Sequence, residues 1–366
     1  MNGETAEQPA VKNSRRRVLG KLALLLFSLL VALIAIELVL RKRDLTFSIE
    51  NDPNYDRSER YFYPDPARLH PYAAPGEKPG LTVAVIGDSF TNGVGVPYLD
   101  KYGVRLEYLL NLNEGVAPAV VHVKAQDGTS TFTHFRFLKP LFEEHGKPDV
   151  VILGICLNDT EDENNREEFK TWRNKGIPRP PEGFTKRLCN FSKLATFIYN
   201  KKEVVRAMTA HEAYYQNLYA DEYSGYKSFV KHIGLIKANL DEQGVIFFAV
   251  IWPLLGDLNP ATYKFDAIHE KIHGVLEAQG VPYVDLKPTF MGKNAERLQA
   301  IPFVDGHPNE IAHRMASETI FKALVEQKII PITYRPQHAS GLVSGRYRRR
   351  YDNFNPAKHA QPETEK

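Results

Sequence analysis

The chain has 366 residues, 43% hydrophobic and 25% charged, an ordinary globular balance with room for one large domain or two small ones. Its net charge of +3 conceals an asymmetry: residues 1–43 carry eight Lys/Arg against three Glu, residues 341–366 six against three acids, and residues 44–340 are left at −5. That sign excludes nucleic-acid binding by the body of the chain, since phosphate contact needs clustered Lys and Arg. Two cysteines, Cys156 and Cys189, make neither a disulfide framework nor a zinc spacing. A single disulfide fits an oxidising compartment, and a buried free thiol fits the apolar run around Cys156 equally well.

Residues 1–14 are polar and expected to be disordered. Arg15-Arg16-Arg17 follows, then Leu22–Leu40, an apolar run of nineteen residues broken only by Ser28 and Glu37. That is about enough helix to cross a bilayer core of roughly 30 Å, and a core helix of a soluble protein would not be apolar all round for so long. Glu37 lies near the end of the run, where its side chain can reach the interface. Five basic residues precede or open the run and three follow it, which places the N-terminus in the cytoplasm and the body outside. The arginines also faintly resemble a twin-arginine export signal, but no A-x-A cleavage site follows. The expected organisation is a cytoplasmic segment 1–21, a transmembrane signal anchor 22–40, a stalk 41–80 packing through Tyr61, Phe62 and Tyr63, a domain 81–330, and a flexible basic tail 331–366.

Within the domain, apolar runs predict strands at Leu81–Ile86, Ala119–Val123, Asp149–Ile155, Val245–Ile251 and Val281–Leu286. Helical spacing predicts helices at Tyr102–Leu112, Phe132–Glu144, Tyr263–Gln279 and Pro308–Gln327. Strands alternating with helices imply a parallel sheet covered on both faces. Residues 160–225 break this rhythm, with Glu161-Asp162-Glu163, three prolines and a series of tyrosines. They read as an insertion with short helices of its own. Its tyrosines either pack it onto the sheet or form a substrate platform.

The chemistry gathers at the strand ends. Leu81–Ile86 runs into Gly87-Asp88-Ser89-Phe90, presenting Ser89 where ligands of open α/β sheets bind; Gly87 is expected to permit the sharp turn. A serine nucleophile needs a base, an orienting carboxylate and donors for the oxyanion. The second strand leads to Asp127-Gly128, the third to Leu157-Asn158-Asp159, and the last helix opens with Asp305-Gly306-His307-Pro308-Asn309. Pro308 is expected in the first helical turn and Asn309 as a cap.

Gly87-Asp88-Ser89-Phe90 resembles the first block of the SGNH, or GDSL-like, hydrolases, in which a serine, a glycine, an asparagine and a histidine come from four blocks in this order. The resemblance covers about 81–327. It implies Ser89 as nucleophile, an oxyanion hole of the Ser89 and Gly128 backbone N–H groups with the Asn158 amide, His307 as base and Asp305 as its orienting acid. It also implies a flavodoxin-like three-layer α/β/α sandwich with a five-stranded parallel sheet, and the anchor and stalk resemble membrane-tethered bacterial members. Three departures stand out. Gly154 lies four residues before Asn158 instead of two. The last block is Asp-x-His instead of Asp-x-x-His, a difference that a flexible Gly306 is expected to absorb. Asp127 stands beside Gly128 and is expected to point away from any oxyanion. The expected activity is hydrolysis of oxygen esters on an extracytoplasmic glycan or lipid, without cofactor or metal. An O-acyltransferase and a non-catalytic tethered binding protein are the alternatives.

Overall fold

The computed structural model describes residues 10–42, 78–113, 116–301 and 305–334. The stalk expected around Tyr61–Tyr63 and the tail beyond residue 334 lie outside the described residues. Five strands form the main sheet: β1 (Leu81–Gly87), β2 (Ala119–Ala125), β3 (Val150–Ile155), β4 (Ile246–Ile251) and β5 (Tyr283–Asp285). All pairs are parallel, in the order β2-β1-β3-β4-β5. This is the flavodoxin-like order, with its switch point between β1 and β3.

The strands form where the sequence predicts because every residue of β3, and nearly every residue of β1, is buried, so continuous apolar runs are the pattern the sheet requires. Register aligns their carboxyl ends. Gly87 lies opposite Ala125, Ile155 opposite Ile251, and Ile251 opposite Asp285. The loops that leave β1, β2 and β3 therefore emerge at one edge, with those of β2 and β3 on either side of the one that carries Ser89.

Helices cover the sheet. α2 (Ser89–Asn92) is a single turn; α3 (Tyr102–Leu110) packs on α11 (Glu310–Glu326), and α4 (Thr131–His145) packs on α8 (Ser224–Glu242). α5 (Arg166–Lys175), α6 (Gly183–Phe191) and α7 (Lys193–Leu218) fill the expected insertion, but α7 runs for 26 residues and is not short. α8 itself was not anticipated, although Phe229, Ile233, Ile236 and Leu240 bury one helical stripe. α9 (Asp266–Ala278) and α10 (Lys287–Phe290) complete the helices. Both cysteines are free and buried. Of the insertion's tyrosines, Tyr214, Tyr215, Tyr219 and Tyr223 are buried, as the packing role requires.

A second sheet was not foreseen. β6 (Gln299–Ile301) and β7 (Asp305–Pro308) pair antiparallel just before α11. Pro308 thus ends a strand and does not enter the helix. Asn309 is the N-cap, its side-chain oxygen accepting from the backbone N–H groups of Ile311 and Ala312 at 3.0 and 3.1 Å.

The chain divides into two compact units. One comprises α1 (Ala10–Lys42) with Lys175–Thr209, and the other holds the remaining described residues, including both sheets. Within α1, Val18–Arg41 is long and apolar enough to cross a membrane.

Gly87 acts differently from expectation. Its φ is not in the left-handed region; a Cβ there would meet Thr91 Oγ1 at 2.1 Å. The missing side chain makes room for Thr91, and Gly154 on the adjacent strand does the same, since its Cβ would lie 2.4 Å from Thr91 Oγ1 and 2.7 Å from Tyr102 Oη. Those two hydroxyls are buried and hydrogen-bonded at 2.9 Å, so neither yields cheaply. Gly154→Ala is therefore expected to cost about 1–3 kcal/mol, read as a lower urea midpoint with unchanged slope, and adding Thr91→Ala is expected to restore part of that loss.

Candidate active site

Ser89 opens α2 directly after β1. Asp88 caps this helix, accepting from Phe90 N at 2.9 Å, and Gly93 closes it in the left-handed conformation. The cap sets the tight strand-to-helix turn and holds Ser89, itself buried, against the Asp88 carboxylate at 3.3 Å.

His307 reaches the serine from the other end of the chain. Its Nε2 lies 2.9 Å from Ser89 Oγ across 218 residues of sequence, and its Nδ1 lies 2.5 Å from Asp305 Oδ1. The same Asp305 oxygen accepts the His307 backbone N–H at 3.1 Å. With Nδ1–H donating to the carboxylate, Nε2 is left as an acceptor facing the hydroxyl. The shortened Asp-x-His spacing works because these residues lie in β7. Residues two apart on a strand project to the same face, so Asp305 stands beside His307 without a turn. Gly306 has no left-handed φ and open space where a Cβ would go, so the strand, not a flexible glycine, absorbs the missing residue.

The flanking loops are tied to this turn and to each other. Gln126 N donates to Gly87 O at 3.2 Å, and Thr131 N to Asp159 O at 3.1 Å. Gly128, just past β2, has φ +66° with open space around its Cβ position, so the backbone conformation and not crowding calls for glycine. Asn158, in the turn after β3, is half-buried, and a side-chain hydrogen bond from it favours the ionised form of Asp88. The Asp127 carboxylate is held by the Asn92 amide at 2.8 Å.

Electrostatics divide the acids. Burial pushes Asp88 up to about 6, against the pull of its bond from Phe90 N and the nearby His307. Burial alone would lower His307, but the hydrogen bond and charge of Asp305, aided by Asp88 and Asp127, outweigh it and raise the imidazole above its ordinary value. Below them lies a fully buried pair. Burial, reinforced by Asp88, drives Asp159 well above its ordinary value and toward the protonated form, while burial pushes His134 down to about 3, so that imidazole is neutral at pH 7. Thr129 Oγ1 donates to Gln126 O at 2.7 Å and lies 3.1 Å from His134 Nε2. That nitrogen must then carry the proton, leaving bare Nδ1 facing the Asp159 carboxyl at 3.6 Å.

Asp88 as a cap, Thr91 between its two glycines, and the His134–Asp159 pair escaped the sequence reading. Only the first had a local signal, an Asp directly before a helical turn. Phe90 and Trp252 went unread as well. The Phe90 ring lies 5.4 Å from the His307 ring and packs edge-on against buried Trp252, which follows β4. Among the described residues, one further group could hold a metal: His269, His273 and Asp285. Their facing atoms are already spent on one another. His269 Nδ1 and His273 Nε2 lie 2.8 and 2.9 Å from Asp285 Oδ2, and the Tyr263 hydroxyl lies 3.0 Å from His269 Nε2.

Residues 85–315 match the model of the GDSL-like lipase/acylhydrolase family. The chain belongs to this family. It is an ester-hydrolysing enzyme by that membership, and its five-stranded parallel sheet is the expected SGNH fold. No curated protein matches the sequence. Solved structures similar to it include a carbohydrate esterase family 2 enzyme with a carbohydrate-binding domain from Corynascus thermopiles (Myceliophthora fergusii), at 16% identity over 70% of this chain and 69% of that one, TM-score 0.42. Another is a putative lipolytic protein of the G-D-S-L family from Desulfitobacterium hafniense, at 14% over 67% and 100%, TM-score 0.40. A third is an acetylxylan esterase from Geobacillus stearothermophilus, at 15% over 71% and 98%, TM-score 0.41.

An imidazole that accepts a proton works only when neutral, so with His307 in the expected role of base kcat/KM is expected to rise with pH through its raised pKa, with a midpoint above the ordinary 6.5. Asp305→Asn removes the largest raising influence and is expected to lower the rate while moving that limb to lower pH. Gly306→Ala is expected to leave the profile in place, since the strand accepts a Cβ there.

Proposed function

We propose that this GDSL-family enzyme is a membrane-anchored serine esterase that cleaves oxygen esters through an acyl-enzyme, with Ser89 as nucleophile, His307 as general base and acid, and Asp305 as the group that orients it. The observation that carries this reading is the unbroken line from Asp305 Oδ1 through both His307 nitrogens to Ser89 Oγ, at 2.5 and 2.9 Å. The hydroxyl carries a single proton, and two acceptors compete for it. The shorter contact, to Nε2, is the productive one; the longer, to Asp88 at 3.3 Å, holds the side chain in place.

In the first half-reaction Ser89 Oγ attacks the ester carbonyl carbon as its proton passes to His307 Nε2, and the positive imidazolium is stabilised by Asp305. The negative charge on the former carbonyl oxygen falls to the Ser89 and Gly128 N–H groups and the Asn158 amide. Collapse breaks the bond to the alkoxy group, which leaves as an alcohol with the proton from His307. Water then gives a proton to His307 and attacks the acyl carbon, releasing the acid and restoring Ser89.

The substrate class proposed is an O-acylated glycan or lipid outside the cytoplasm. It rests on α1 as a single span with its N-terminus inside, as the flanking charges favour. Transfer of the acyl group to a polysaccharide acceptor would use the same intermediate. An acceptor platform of tyrosines is the feature that reading needs, and the burial of four of the insertion's tyrosines favours water as the acceptor. The near contact of His307 with Ser89 likewise favours an enzyme over a binding protein on the same scaffold.

Full-length protein is expected to release acid from short-chain aryl esters and to be labelled by a fluorophosphonate at Ser89. Ser89→Ala is expected to abolish both, and equal turnover by this variant would refute the assignment. Asn158→Ala is expected to lower kcat by roughly 10²–10³ with little change in thermal stability.

A further inference from the structure

The compact unit that contains α1 also contains Lys175–Thr209, and its exposed side chains have an unusual composition. On α6, Phe184, Leu188 and Phe191 recur at helical spacing and form one stripe, with both phenylalanines 79% exposed. Cys189, roughly opposite on the helical wheel, is the residue α6 buries. The helix therefore turns its apolar side away from the rest of its unit, the reverse of an ordinary surface helix. The first half of α7 adds Phe197, Ile198, Val204 and Val205, all exposed. Lys201 lies among them with its ammonium over the Phe197 ring, 5.9 Å from the centroid, which sets a cation directly beside the exposed apolar side chains. Contiguous exposed apolar surface of this kind marks a contact site.

Charge identifies the occupant. Residues 175–209 hold eight Lys/Arg against two Glu, inside a stretch, 44–340, whose net charge is −5. Exposed aromatic and aliphatic side chains interleaved with lysine and arginine are the signature of a helix lying in a bilayer interface, where the rings enter the acyl boundary and the cations meet lipid phosphate.

The contact with α1 fixes the level at which this surface sits. Glu37, near the end of the apolar run, accepts hydrogen bonds from Ser192 Oγ and from the backbone N–H groups of Lys193 and Leu194, at 2.8, 2.9 and 2.9 Å. Arg41 completes the set, donating from Nε to Glu37 at 2.8 Å and from Nη2 to Phe191 O at 2.7 Å. The acid that interrupts the run is thus fully partnered at the N-terminus of α7, where a helix end favours an anion. A second brace, from Arg206 to Glu203 and to the carbonyls of Lys175 and Ile177, closes the rest of the segment. With α1 spanning the membrane, the junction of α6 and α7 is clamped to its last turns, at the depth of the headgroups.

We propose that α6 and the first half of α7 lie in the membrane interface, with Phe184, Leu188 and Phe191 inserted at the acyl boundary of an anionic bilayer. The inference rests on α1 being a true span. It makes the insertion a second attachment to the lipid, so that the enzyme is seated on its membrane and not merely tethered to it.

Depth-dependent fluorescence quenching tests this with the full chain in nanodiscs of anionic and zwitterionic phospholipid. Trp is introduced singly as Phe184→Trp, Phe191→Trp, Lys186→Trp on the other side of α6, and Val31→Trp within α1; parent protein supplies the background of its two tryptophans. The added emission of Phe184→Trp and Phe191→Trp is expected to be lost to lipids brominated near the headgroups, and that of Lys186→Trp to be retained. Emission at 184 and 191 quenched no more than at 186 would overturn the proposal, whether those positions prove water-exposed or shielded under protein. Val31→Trp, expected to be quenched by bromines near the chain ends, separates the two failures: if it is quenched and the α6 positions are not, the anchor stands and the interfacial helix falls; if it is not quenched, the anchor itself falls.

Discussion

The contact between Ser89 Oγ and His307 Nε2 sets the terms for the whole catalytic unit. It joins the end of the first strand to the last hairpin, and nothing local can hold two side chains 218 residues apart at 2.9 Å. The sheet order does so by placing β1 between β2 and β3, so that Ser89 leaves the sheet at its switch point. α11 brings back the other partner. It packs on α3 beside the sheet, Arg314 binds Asp100, and Asn309 caps the helix while its amide donates to the carbonyls of Arg297 and Gln299. The β6–β7 hairpin is therefore fixed at the root of α11, and β7 aims His307 at the serine with Asp305 beside its ring.

Around this line the fold sorts its acids by solvation. Asp305 keeps some access to water and remains the counter-ion of the imidazole. Asp88 is fully buried, and its carboxylate survives near neutrality because Phe90 N, Ser89, Asn158 and His307 all favour the charged form. Asp159, equally buried and with fewer such donors, is pushed toward its neutral form. A second ionised carboxylate beside Asp88 would be costly, and the bare nitrogen of neutral His134 faces the acid at 3.6 Å. His134 is also linked through Thr129 to the loop that carries Gly128, so this buried pair joins the two loops flanking Ser89.

How much of this could be read from the sequence follows from how locally each feature is encoded. Strands buried on both faces spell themselves out as apolar runs, and their ends agreed with expectation to within about two residues, ordinary for such boundaries. The long α7 did not reveal itself because its apolar residues do not form one inward stripe; Phe197, Ile198 and Val205 face outward. β6 and β7 were missed because β6 has only three residues, Gln-Ala-Ile, too few to show a period, and the Asp-Gly-His-Pro of β7 looks like a turn. That miss matters most, since it made Asp305-Gly306-His307 seem a shortened turn, whereas alternation along a strand makes a two-residue separation the natural way to set an acid beside a histidine. The roles of Gly87 and Gly154 were equally hidden, because what they accommodate, the Thr91 and Tyr102 hydroxyls, comes together only in the folded chain.

Glu37 ties α1 to the start of α7. In the sequence it is an anomaly, an acid within nineteen residues that are otherwise apolar apart from one serine. An unpartnered carboxylate there would oppose insertion. Its partners are two backbone N–H groups, a serine hydroxyl and an arginine, and the first three belong to the start of α7. The acid is therefore better understood as a docking group than as a tolerated defect. α6 and α7 satisfy the one charge inside the apolar run 22–40, and on the proposed span α1 in turn gives their exposed phenylalanines a place to go. Each half of the unit would be a liability without the other: a span with a bare acid, and an amphipathic helix with its apolar side in water.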